Sequence, residues 1–109
     1  MNQASTVKDK HIEKILIATS LHPMTAMNLS RIFGIPSAIC HRKVNLLESL
    51  DLITCVERLM SEEDGITKVY SAKRDKVTVH QDDGRFVVRI NVPLDLALQL
   101  SYGWRTLLA

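Results

Sequence analysis

The sequence predicts an α+β fold in which three short helices are followed by two β-hairpins and a final helix. Three observations carry that expectation. Apolar residues recur at helical spacing from Ile12 to Leu50, then at a period of two from Leu52 onward. Gly34 and the Ile35–Pro36 step divide the helical stretch, because a left-handed glycine ends one helix and a proline suits the start of the next. Asp83–Gly84, flanked by alternating apolar residues, is the strongest short hairpin signal in the chain.

A chain of 109 residues is one domain by size. With 46% hydrophobic and 24% charged residues it has the profile of an ordered domain, not a disordered tail. Apolar stretches such as Ile15–Ala18 fall far short of a membrane span, so no membrane partner is expected. Met1 to Lys10 is polar and has no signal-peptide core, which points to the cytoplasm. In that setting the glycosylation triplet Asn28-Leu29-Ser30 carries no meaning. Cys40 and Cys55 sit among apolar neighbours and read as small buried hydrophobes, not as a disulfide.

Thr6 and Asp9 have the spacing of a capping box, with Asp in place of the usual Glu. Behind them Ile12, Ile15, Leu16 and Thr19 form one face of a first helix that ends near Ser20, before His22–Pro23. Thr25 caps a short second helix whose Ala26, Leu29, Ile32 and Phe33 point inward, and Gly34 ends it. The third helix runs from about Ser37 to Leu50. Cys40, Val44 and Leu47 lie on one side, flanked by Ile39, Leu46 and Leu50. Ser37, Ala38, His41, Arg42, Asn45, Glu48 and Ser49 occupy the other. Lys43 falls inside the apolar arc, where its stem can lie along the core while its ammonium reaches solvent or phosphate.

Ile53 to Leu59 then predicts a strand, Ser61 to Gly65 a polar loop and Thr67 to Ser71 the returning strand, with a basic link at Lys73–Lys76. Lys76 to Gln81 and Arg85 to Val92 form the second hairpin. With Asp83 and Gly84 central, Val77 faces Ile90, Val79 faces Val88 and Gln81 faces Phe86; Thr78, His80, Val87 and Arg89 take the opposite face. Pro93 is expected to start a last helix, about Leu94 to Leu108. Its broad apolar face comprises Leu96, Leu100, Trp104, Leu107 and Leu108, widened by Leu94, Ala97 and Leu98.

Three helices followed by a β-hairpin is the plan of the winged helix-turn-helix, here with an additional β-hairpin and a C-terminal helix. The run Gly34-Ile35-Pro36-Ser37-Ala38-Ile39-Cys40-His41-Arg42, followed by Leu47-Glu48 and Leu52-Ile53, resembles the DNA-binding domains of IclR-like and ArsR-like transcriptional regulators. The resemblance covers about Ile12 to Ser71. Asp51 departs from it, standing where those families carry glycine, and Asp tolerates left-handed geometry better than most residues. The resemblance implies a DNA-binding domain over 1–75, with the third helix in the major groove and its N-terminal half against base edges. By position, Ser37, Ala38, His41, Arg42 and Asn45 face the DNA. Arg42 suits bidentate contact to guanine and Asn45 contact to adenine, while His41 can donate to a phosphate or a base acceptor. Arg31, on the outer side of the second helix, would hold a phosphate and fix orientation.

Charge is distributed accordingly. The net charge is only +2, yet no acidic residue lies between Glu13 and Glu48, where Lys14, Arg31, Arg42 and Lys43 fall. The wing differs, since its tip Glu62-Glu63-Asp64 would be repelled by phosphate. Only Arg58 and Lys68, on its strands, can serve, so the wing is expected to touch DNA through its stem or to stand away from it.

Residues 76–109 are too few for a separate ligand-binding domain. Their apolar surfaces either cover the winged helix in cis or join two copies. A terminal helix bearing Leu96, Leu100, Trp104, Leu107 and Leu108 favours a homodimer, which raises affinity and specificity together. The expected function is sequence-specific transcriptional regulation of prokaryotic type on double-stranded DNA. Repression is the more frequent outcome in similar families, and no small-molecule effector can be named. The alternative is a winged helix used as a protein-interaction module with no DNA role, favoured by the acidic tip and modest charge. No phosphate loop, nucleophile elbow or spaced acid pair points to an enzyme. His11, His22, His41, His80 and the two cysteines lack ligand spacing, so neither a metal nor another cofactor is expected.

Overall fold

A computed structural model describes residues 2–6, 9–63 and 65–93 of the chain. Along it run β1 (Asn2–Thr6), α1 (Lys10–Leu21), β2 (Met24–Thr25), α2 (Ala26–Phe33), α3 (Ser37–Ser49), β3 (Ile53–Ser61), β4 (Gly65–Ala72), β5 (Val77–Asp82) and β6 (Arg85–Pro93). The fold is α+β. Three helices pack with two small antiparallel sheets, ordered β2-β4-β3 and β1-β6-β5.

The start of α1 differs from the capping box expected of Thr6. Asp9 is itself the cap, its Oδ1 accepting from the Ile12 amide at 2.9 Å, while Thr6 belongs to β1 opposite Arg89. Ile12, Ile15, Leu16, Ala18 and Thr19 then face inward, as the helical period requires. Thr25 caps α2 through a reciprocal pair of bonds: its Oγ1 accepts from Asn28 N at 3.0 Å, and its own amide donates to Asn28 Oδ1 at 3.3 Å. Gly34 ends α2 at φ 64°, a left-handed conformation that costs glycine little. Ile32, expected inward, is 58% exposed. The helix is only eight residues long, and at 100° per residue Ile32 lies off the stripe set by Ala26 and Leu29. Phe33 is half-buried, with Lys14 Nζ 6.0 Å from its ring centre.

α3 buries Cys40, Val44 and Leu47, and its end turns through Asp51 at φ 61°. The Leu52 amide there donates to the Leu47 carbonyl, five residues back, at 3.0 Å. β3 and β4 are longer than their alternation suggested, so that pairing extends as far as Ser61 opposite Gly65. A bulge between Cys55 and Glu57 leaves Cys55 half-buried, with its Sγ 3.3 Å from the Glu57 carbonyl; it is not the fully buried hydrophobe its neighbours suggested.

The second hairpin has the register its turn predicts: Val77 opposite Ile90, Val79 opposite Val88 and Gln81 opposite Phe86, around Asp83 and Gly84 at φ 53° and 76°. Val77, Val88 and Ile90 join the same buried cluster as Ile12, Leu16, Leu29, Val44, Leu47 and Ile53. The hairpin's apolar face therefore covers the helices in cis. Pro93 does not begin a helix; it ends β6 opposite Asn2. The expected helix over 94–108 lies outside the described residues, as do Leu96, Leu100, Trp104, Leu107 and Leu108. No helix among the described residues is long and apolar enough to cross a membrane.

Candidate nucleic-acid interface

α3 divides its surface three ways. Cys40, Val44 and Leu47, at 0–1% exposure, face the core. Ser37, Ala38, His41, Arg42 and Asn45 are all exposed and form the outer edge. Lys43 occupies the flank toward α1, and its Nζ lies 2.6 Å from Asp9 Oδ2, with both side chains only 15–16% exposed. Its ammonium therefore binds a carboxylate within the protein, on the far side from the outer edge. Burial alone would raise the Asp9 carboxyl. The Lys43 ammonium and the amides of Ile12 and His11 outweigh it and hold Asp9 below its ordinary value.

At its N-terminus α3 starts on Pro36, and no side chain accepts from its first amides. Those N–H groups and the helix dipole make this end locally positive. One turn on, His41 Nδ1 donates to the Ser37 carbonyl at 2.9 Å. With Nδ1 engaged in this way, Nε2 is the ring nitrogen left for a contact beyond the helix.

The β3–β4 hairpin stands beside this edge. β2 pins the start of α2 to it through Met24 opposite Tyr70 and Thr25 opposite Val69. Arg58 pairs with Lys68 and Met60 with Ile66, so these four share one face of the hairpin. Between hairpin and helix lies an open cleft of about 670 Å³. His41 and Asn45 form its α3 wall, and Arg58, Ile66, Thr67 and Lys68 its hairpin wall. Ala26, Met27 and the buried Tyr70 close it from the side of α2. Lys68 Nζ lies 3.7 Å from Glu48 Oε1, a charge contact too long to be a hydrogen bond. Arg58 is exposed and makes no ion pair among the described residues. Burial raises the Tyr70 hydroxyl, and the nearby Glu48 carboxylate and Cys55 raise it further, so it stays a neutral phenol.

The structure thus brings His41, Asn45, Arg58 and Lys68 around one cleft. Arg42, Ser37 and Ala38 lie on the outer surface of α3, and Arg31 is exposed in the last turn of α2; none of them lines the cleft. The basic link after β4 is engaged elsewhere, with Lys76 Nζ 2.5 Å and Lys73 Nζ 3.6 Å from the Asp51 carboxylate. Met27, Ile66, Thr67 and Tyr70 were not singled out from sequence. Pairing Arg58 with Lys68 in a hairpin model would have found Ile66 and Tyr70, which sit two residues either side of Lys68 on the same face. Comparison with models of known protein families, with curated proteins and with solved structures finds no match for this chain.

Proposed function

We propose that this chain is a winged helix-turn-helix regulator that binds double-stranded DNA and reads the major groove with the outer edge of α3. One observation carries the reading: Ser37, Ala38, His41, Arg42 and Asn45 form an exposed edge on a helix whose opposite side is anchored in the core, and Glu48, the one carboxylate on that side of α3, lies against Lys68. The β3–β4 hairpin, as the wing, supports it by holding Arg58 and Lys68 across the cleft from that edge. Arg42 is assigned to guanine and Asn45 to adenine. His41 meets a phosphate or a base edge through Nε2, the α3 amides meet phosphate, and Arg31 fixes orientation from α2. Lys43 is assigned to holding α3 in place instead of touching DNA. Leu96, Leu100, Trp104, Leu107 and Leu108 would join two copies on a palindromic site. A protein-contact role is favoured by one further observation, the exposure of Met60 at 82% and Ile66 at 60% on the hairpin.

Selection of fragments from random duplex DNA tests the reading directly. Arg42→Ala should relax preference at one base pair, by about 1–3 kcal/mol of discrimination. Arg31→Ala should weaken all sequences alike and lower the salt dependence. If duplex DNA is not retained even at low salt, the reading fails.

A further inference from the structure

Half of the large apolar side chains exposed on the described surface lie on the β3–β4 hairpin: Val56, Leu59, Met60 and Ile66, out of eight. Phosphate contact needs none of them. Their arrangement along the hairpin is ordered. On β3 the two-residue period runs Arg58, Met60, Glu62, the last just beyond the strand. Along β4 it runs Ile66, Lys68. Each strand therefore carries a basic residue at the stem and an apolar one about 7 Å further out, and the turn beyond them holds Glu62 and Glu63. Met60 opposite Ile66 marks the midpoint.

A surface with that order is complementary to itself when turned through 180°. The stem of one copy meets the tip of the other, and the apolar midpoints meet on the axis, as an isologous two-fold contact requires. We infer that the β3–β4 hairpin docks face to face on the hairpin of a second copy of this chain. Met60 and Ile66 of the two copies pack together at the axis, and Arg58 and Lys68 of each approach Glu62 and Glu63 of the other. Lys68 is placed for this exchange, because its 3.7 Å contact with Glu48 holds it only loosely. The opposite face of the hairpin offers no such pattern: it carries Leu59 and Thr67, then Glu57 and Val69.

The docked face is also the hairpin wall of the cleft, so the second copy covers the side of α3 that bears His41 and Asn45. If the proposed DNA reading holds, this pairing is an off state that competes with duplex DNA. That consequence rests on the DNA reading; the pairing itself does not.

The test uses the full chain. Met60→Cys, treated with a bis-maleimide that spans about 10 Å, the separation of face-packed sheets, should give a covalent dimer. Leu59→Cys, on the other face, and the wild-type chain should not. In sedimentation, the tip reversal Glu62→Lys/Glu63→Lys and the stem reversal Arg58→Glu/Lys68→Glu should each weaken pairing by at least about tenfold (about 1.4 kcal/mol). An equal mixture of the two should restore it. Met60→Glu, at an 82% exposed site that cannot disturb the core, should do the same as either reversal alone. Equal cross-linking at positions 59 and 60, or unchanged association in Met60→Glu, would overturn the inference. Association that only Trp104→Glu abolishes would do so too. Duplex retention, measured separately, tells a failed pairing from a failed DNA reading.

Discussion

Lys43→Met is the most revealing single perturbation of the fold, because it strands Asp9 at the junction of α1 and α3. The carboxylate has two tasks: Oδ1 caps α1 through Ile12, and Oδ2 takes the Lys43 ammonium 34 residues away. Removing one partner of a fully buried pair costs about 3–5 kcal/mol, because the other charge is left in a poor solvent. Here both side chains keep 15–16% of their exposure. Water relieves part of the penalty, and about 2 kcal/mol is expected for Lys43→Met. Asp9→Ala loses the pair and the cap, the cap adding about 1 kcal/mol. Asp9→Asn keeps a capping oxygen and isolates the charge. Urea unfolding followed by far-ultraviolet circular dichroism should show Asp9→Asn/Lys43→Met less destabilised than the sum of its singles, by at least about 1 kcal/mol. Additivity within about 0.3 kcal/mol would refute the coupling. The pH dependence has a fixed sign. Asp9 is held below the ordinary aspartate value of about 3.9. Its contribution is therefore complete above that value and lost as pH falls through the lowered native one. Without Lys43 the desolvation of Asp9 is unopposed by its main partner, so acid unfolding of Lys43→Met should begin at a higher pH than that of wild type.

Other substitutions test separate parts of the account. Val88 is 1% exposed in the common core, so Val88→Ala should cost about 2 kcal/mol at every protein concentration; a cost that vanished on dilution would place the second hairpin in an interface between copies. Asp51 pays for its positive φ with strain that glycine would not feel. Asp51→Gly should therefore melt no lower than wild type although it gives up Lys73 and Lys76, whereas Asp51→Val should melt clearly lower. Arg58→Ala should reduce the slope of log affinity for duplex DNA against log salt by about one. An unchanged slope would take the stem of the hairpin off the phosphates.

What the sequence disclosed follows from how local each signal is. The core side of α3 was legible because Cys40, Val44 and Leu47 repeat over about two turns, enough to fix a stripe. The second hairpin was legible to the register because a two-residue turn at Asp83–Gly84 leaves no freedom in the pairing. β1 was not, because Asn2 to Thr6 shows no alternation of its own and becomes a strand by pairing with β6, almost the whole chain away. Ile32 misled because an eight-residue helix does not constrain which side is inward. The cleft was half legible. Its α3 wall could be drawn from a helical wheel, but its hairpin wall depends on the register from Arg58 to Lys68 and on the bulge before it.

The charge argument changes most in passing from sequence to structure. Along the chain, Lys14, Arg31, Arg42 and Lys43 looked like one positive field in an acid-free interval. In the fold, Lys43 turns to Asp9 on the inner flank of α3, and Lys14 lies over Phe33. Two of the four thus serve α1 and its neighbours. The outer edge of α3 keeps Arg42, with Arg31 on the preceding helix, while Arg58 and Lys68 add positive charge from the hairpin. Of these last two, Lys68 is partly compensated by Glu48. Any attraction of phosphate toward the cleft must then rest chiefly on Arg58, a residue whose place beside α3 exists only once the hairpin has formed. Neutralising Arg42 and Arg58 together should therefore abolish retention of duplex DNA at moderate salt, measured by filter binding, whereas neutralising Lys14 should leave it unchanged. Equal losses from the two would mean that the field is spread over the whole acid-free interval, and that the edge of α3 is not where the DNA lies.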